Sequence, residues 1–203
     1  MGNIIQPGVD AIAFLRSAKA HGFGMQEGLV SPELCDEISW ELEEAGFLVD
    51  LNEQNPTTHL SADKSMRATS LLHATLERMV SHVEEDDRRH LPLFSIRVFE
   101  PGEHATTIHR NHPSIGPWAI GITLKGQAPF QVYNQEVLRE YWDTLPLFGD
   151  GWDPIPVAEM DASAGSAWTL YTENEKCPHS GGLVTDEGRR ELIIFYGMTW
   201  LTH

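Results

Sequence analysis

A chain of 203 residues with 41% hydrophobic side chains can close one packed core, and its two cysteines, Cys35 and Cys177, lie far apart in no metal-binding spacing. Thirty acidic against 14 basic side chains give a formal net charge of −16, a field that repels phosphate backbones and speaks against nucleic acid as a partner. No stretch approaches the ~18 uninterrupted apolar residues of a spanning helix, the N-terminus lacks the basic start and apolar run of a signal peptide, and free thiols suit a reducing compartment. The expectation is one cytoplasmic domain, 1–203, with no membrane partner.

The first 92 residues read as mostly helical support. An Ala-rich helix runs from Asp10 to Ala20 and ends at Gly22, and a short strand begins at Phe23. Ser31 is placed to cap a second helix, Pro32 suits its first position, and Leu34, Ile38 and Leu42 recur every four residues before Gly46 stops it. A third helix, Ser65 to Glu84, gathers Leu72, Leu76, Met79, Val80 and Val83 on one face, as a helix buttressing a sheet does.

From residue 93 the period changes to short β-rich runs punctuated by Gly and Pro: Phe94 to Phe99, Trp118 to Leu124, Phe130 to Tyr133, Ala167 to Tyr171 and Leu192 to Tyr196. Helices first and strands afterwards predict an α+β chain rather than an alternating α/β one. The segment 134–161, with Tyr141, Trp142, Phe148 and Trp152, reads as a long connection, either a lid over a site or a surface excursion.

Ten histidines are too many to be ligands together, so spacing must select among them. His21, His73 and His82, taken singly, read as surface or satisfied core residues. His109 and Asn111 are two apart beyond the turn Pro101-Gly102-Glu103, and on extended backbone both point to one face. His112 points to the other face unless a bulge intervenes.

The segments "SIRVFEPGEHATTIHRN", "GITLKGQAPFQVY" and "AGSAWTLYTENEKCPHSGGLVTDEGRRELIIFYG", in that order, resemble the prolyl-4-hydroxylase-like members of the Fe(II)- and 2-oxoglutarate-dependent oxygenases. Upstream, "HGFGMQEGLVSPELCDEISWELEEAGF" is similar to the strand-then-helix opening of that superfamily, so the resemblance spans most of the chain. It implies a double-stranded β-helix, or jelly roll, over 93–203, with Fe(II) and 2-oxoglutarate as cofactors and ascorbate as a reductant. By position, the metal ligands it implies are His109 and His179, with Asn111 where the family has a carboxylate. Arg190 matches the arginine that pairs with the far carboxylate of 2-oxoglutarate, a task suited to a guanidinium fork. Arg189 is then expected on the opposite face of its strand, in solvent.

Asn111 departs from the family, since a neutral amide oxygen binds Fe(II) more weakly than a carboxylate. It coordinates weakly or is bypassed, it leaves room for another ligand as in related halogenases, or iron chemistry has been lost. A ligand from the same turn, His112 or Glu103, would restore a three-residue site. The activity implied is oxidation of an unactivated C–H bond in a small molecule or a peptide side chain, with Arg97, Gln131, Tyr133 and Trp168 as candidate substrate contacts. The rival reading is an impaired binding module that keeps metal or 2-oxoglutarate. A cupin is set aside because its close pair of histidines followed by Glu is missing.

Overall fold

The computed structural model of the chain describes residues 4–47, 58–59, 66–86, 88–111, 115–134, 136, 154–172, 177–184 and 188–198. Helix α1 spans Ala11–His21: the Asp10 carboxylate accepts from the Ala13 amide at 2.9 Å, and Gly22, at φ 87°, ends it in the left-handed conformation that glycine adopts without a Cβ penalty. Strand β1 is Phe23–Gln26. Helix α2, Pro32–Glu44, starts where Ser31 Oγ accepts from the Leu34 amide at 3.3 Å.

Helix α3, Arg67–Glu84, follows the short strand β2, Thr58–His59, and its N-cap, Met66, has no side chain able to cap. The cap comes from α2 instead. The buried Glu41 carboxylate accepts from the Ala68 amide at 2.7 Å and from the Thr69 amide and hydroxyl at 2.9 Å, placing negative charge at the positive end of the α3 dipole. No helix of the described residues is long and apolar enough to cross a membrane.

The remaining strands are β3 Leu93–Phe99, β4 His104–His109, β5 Ile115–Lys125, β6 Ala128–Val132, β7 Ala158–Ala162, β8 Ala167–Tyr171, β9 His179–Leu183 and β10 Arg190–Met198. They form two antiparallel sheets, one of six strands in the order β1-β8-β5-β10-β3-β2 and one of four in the order β4-β9-β6-β7. The mixture of helices and antiparallel sheets makes the chain α+β. The segment 134–161 is corrected at its end: 158–162 is a strand, β7, paired with β6, while most of the rest lies outside the described residues.

Alternation along the strands divides the core. On one face of the larger sheet, Phe94, Ile96 and Val98 of β3, Ile120 and Ile122 of β5, and Ile193 and Phe195 of β10 pack against Phe14, Leu15, Ile38, Leu42, Leu72 and Leu76 of the helices. Each fully buried aliphatic or aromatic side chain there contributes about 2 kcal/mol. His73 belongs to this side, with Nε2 2.6 Å from the Leu91 carbonyl oxygen and its ring on Phe195, so it is a satisfied core histidine.

The other face of the larger sheet turns toward the four-stranded sheet. Along β5 it carries the small residues Ala119, Gly121 and Thr123 between the larger Leu192, Ile194 and Tyr196 of β10 and the Trp168 and Leu170 of β8. Small side chains on a central strand leave the two sheets unable to fill the space between them, and a cavity of about 410 Å³ remains. That volume lies within the range of small-molecule sites, roughly 300–1,000 Å³.

Candidate active site

His109 and His179 face each other as register partners on β4 and β9, with ring centroids 4.3 Å apart and planes 53° to one another. The β4–β9 ladder shifts register between Thr106 and His109, so an extra residue enters β4 there. Such bulges re-aim the side chain that follows. Without it, residue 108 would stand opposite residue 179 and His109 would turn to the other face. The sequence spacing allowed for a bulge beyond His109; the structure puts it before.

His179 is 4% exposed, and its Nδ1 lies 3.0 Å from the Cys177 carbonyl oxygen. This bond requires the proton on Nδ1 and leaves the Nε2 lone pair free, the usual way in which a protein orients an imidazole toward a metal. Burial and the neighbouring His109 push the His179 pKa down to about 3 against the opposing pull of the Cys177 carbonyl, so the ring is neutral across the physiological range. Phe130 and Trp168 stack parallel, 4.7 Å apart and 1° from coplanar orientation, and their rings lie 5.8 and 6.3 Å from His179. These aromatic faces shield the imidazole from water.

Trp168 occupies this position because residue 121 is glycine. A Cβ at Gly121 would lie 2.2 Å from Trp168 Cε2, so any side chain there would expel the indole. The indole Nε1–H is buried and has no hydrogen-bond partner among the described residues.

Arg190 begins β10 and is 1% exposed. Its Nη2 donates to Thr123 Oγ1 at 3.3 Å, and its Nε–H has no partner among the described residues. Burial pulls its pKa down to about 10, which still leaves a cation at neutral pH. An isolated buried charge costs several kcal/mol. A guanidinium in this state is complementary to an anion entering the cavity.

Of the residues singled out in the sequence, the cavity brings together His109, Asn111, His179, Arg190, Arg97 and Trp168. Gln131 and Tyr133 require correction as substrate contacts. Phe130 and Val132 take the inward face of β6, so Gln131 turns outward, where its amide donates to Glu159 at 2.7 Å and accepts from the Tyr133 hydroxyl at 2.8 Å and the Ser180 hydroxyl at 3.2 Å. Glu103 is not at the histidines either: it is exposed in the turn before β4, where its carboxylate accepts from the Glu100 amide at 2.9 Å. His112 lies outside the described residues.

Arg189 does take the face opposite Arg190, but it is not simply solvated. Its Nε and Nη2 donate to Glu191 Oε1 at 2.9 and 2.7 Å. Glu191 is fully buried beneath α2, hydrogen-bonded by Ser39 Oγ and 3.8 Å from Lys125 Nζ. The sequence reading missed Thr123 and Gly121, whose small side chains on β5 gave no chemical signal. Among the described residues no three His, Cys, Asp or Glu side chains gather at one point, in keeping with an amide beside the two histidines.

No family model matches the chain, and no curated protein matches its sequence. Solved structures do resemble it. A prolyl-4-hydroxylase from Pseudomonas putida superposes with a TM-score of 0.59 at 11% identity, over 98% of this chain and 96% of its own. HygX from Streptomyces hygroscopicus, solved with nickel and 2-oxoglutarate bound, superposes with a TM-score of 0.60 at 14% identity, over 93% of this chain and 87% of its own. The chain therefore has a prolyl-4-hydroxylase-like fold.

Proposed function

We propose that this chain, read as one cytoplasmic domain with a jelly-roll core, is an Fe(II)- and 2-oxoglutarate-dependent oxygenase. Its substrate would be a small molecule or a peptide side chain oxidised at C–H. The observation that carries the reading is Arg190, a buried guanidinium whose Nε–H has no partner among the described residues, in the same cavity as a pair of facing histidines. A dianionic 2-oxo acid answers both needs at once, a carboxylate for the arginine and a chelating end for an ion. The nickel and 2-oxoglutarate in the similarly folded HygX support the same cofactor class.

His109, His179 and the amide oxygen of Asn111 would hold the metal, and Arg190, steadied by Thr123, the far carboxylate of 2-oxoglutarate. The group, when bound, would let dioxygen act as the oxidant, its four electrons drawn two from the oxidative decarboxylation of 2-oxoglutarate and two from the substrate C–H bond. The chain supplies orientation and dryness. Cys177, through its carbonyl, keeps the His179 lone pair directed, while burial and His109 keep the ring neutral; the Phe130–Trp168 stack excludes water beside it; Arg190 aligns its ligand with parallel hydrogen bonds. Asn111 makes this site one negative charge poorer than a carboxylate would, so a dianionic co-ligand contributes more of the neutralisation.

The test is anaerobic addition of Fe(II) and 2-oxoglutarate to the apoprotein, watching for the weak visible metal-to-ligand charge-transfer band. A band in the native chain that Arg190→Ala abolishes supports the oxygenase reading, and its absence at saturating concentrations would sink it. A second reading, a binding module without turnover, draws on Asn111. A band that persists in oxygen with no succinate formed would favour it.

A further inference from the structure

The cavity's charge is opposite to that of the molecule. The chain carries 30 acidic and 14 basic side chains, yet the described residues that line the cavity include Arg97, Arg190, His109 and His179 and no aspartate or glutamate. Three of its donor groups lack acceptors among the described residues. Among the described residues Arg190 Nε and Trp168 Nε1 are buried without partners, and Arg97 makes no hydrogen bond or ion pair with any of them.

The two arginines stand at different depths. On the β3–β10 ladder Arg190 is opposite Phe99 and Arg97 opposite Leu192, so they occupy neighbouring rows on the cavity face. Arg190 is almost wholly buried and Arg97 is exposed at the mouth. One anion at Arg190 leaves Arg97 unneutralised, beside an apolar wall of Leu192 and Ile194. Two cations in one low-dielectric cleft repel unless each has its own counter-charge.

Resting on the oxygenase reading, we infer that the substrate is a small organic oxyanion, a carboxylate or phosphate on an apolar body, whose anionic group pairs with Arg97 at the cavity mouth. Its apolar part lies along Leu192 and Ile194, which directs a carbon toward the histidine pair while 2-oxoglutarate holds Arg190. The acidic surface outside then admits such a ligand only where this opening focuses positive potential.

The test is calorimetry on the full chain loaded with Ni(II), in two stages. First, 2-oxoglutarate is titrated alone: failure to bind there refutes the oxygenase reading, and this inference falls with it. Second, with 2-oxoglutarate saturating, short straight-chain and phenyl-substituted carboxylates and phenyl phosphate are titrated, each carboxylate beside its primary amide. At least one acid should bind about tenfold tighter than its neutral amide, the size of effect of one charge-assisted pair. Arg97→Gln should remove that preference while 2-oxoglutarate affinity holds, and Arg97→Lys should restore part of it; intact 2-oxoglutarate binding shows that the variants are folded. Stronger binding by phenyl phosphate than by the carboxylates would assign the phosphate form. Acids and amides binding alike, no acid binding at all, or Arg97→Gln weakening 2-oxoglutarate instead, would each overturn the assignment.

Discussion

Trp168 lies flat over the backbone of Gly121, so close that a single added methyl group at residue 121 would overlap its indole. The largest side chain in the site thus depends on the smallest one beneath it. Gly121→Ala should cost about 1–3 kcal/mol, the usual range for overpacking a core. Urea denaturation checks this, and Trp168→Leu in the Gly121→Ala background should recover part of the loss. If the two changes simply add, the contact is not what limits the site.

The cross-helix cap makes a separate claim. Glu41→Gln replaces an acceptor-only carboxylate by a group that turns a donor toward the amides of Ala68 and Thr69. The loss should be about 2–3 kcal/mol, because the bonds are charge-assisted and buried. Slowed hydrogen exchange at the start of α3 in the native chain, lost in the variant, would locate the effect.

Beneath β10, Arg189 and Glu191 form the other coupled pair. Arg189→Leu leaves a buried carboxylate with only Ser39 and the more distant Lys125, and should destabilise by roughly 3 kcal/mol. Replacing both residues by leucine should recover most of that, since the desolvation of Glu191 disappears as well. Equal losses in the single and double variants would refute the pairing.

Cys35 gives a pH dependence whose sign can be worked out. Burial pushes its thiol from 9.0 up to about 12, so folding favours the protonated form. Its contribution is complete below pH 9 and is lost as pH rises toward 12, so the native chain should lose stability over this window more steeply than Cys35→Ala. At pH 8 a thiol-directed reagent should modify Cys177 in the native protein and reach Cys35 only after unfolding.

Asn111→Asp supplies the carboxylate that the site lacks. Ni(II) should bind more tightly to this variant than to the native chain when measured without 2-oxoglutarate, because an ionised ligand replaces a neutral one. Unchanged affinity would place Asn111 outside the coordination sphere.

The helices and all strands of the larger sheet but β2 were legible from sequence because their residues alternate or recur against a large apolar core. Ser31, Pro32 and the Leu34-Ile38-Leu42 spacing gave α2, and Phe94, Ile96 and Val98 gave β3. Three strands of the smaller sheet were not. The sequences of β4, β7 and β9 are HATTIH, AEMDA and HSGGL, and the inward side of β9 carries His179 and Gly181 at the cavity. A sheet that lends its inner face to a site gives up the hydrophobic period by which a strand is read. The histidine pair and Arg190 were found through motif order, whereas the outward turn of Gln131 and Tyr133 depended on which face of β6 meets the core, a choice that Phe130 and Val132 make only once the sheets are packed.

Consecutive residues of β10 carry opposite charges to opposite faces, Arg190 into the cavity and Glu191 under the helices. A one-residue slip in one direction would bring the Glu191 carboxylate to the place of Arg190 in the cavity, and in the other direction would drive Arg190 into the place of Glu191 beneath α2. Either slip would leave a charge among the wrong partners, in the cavity in one direction and beneath the helices in the other. The charge order along β10 thereby acts as an inspector of the sheet's own assembly.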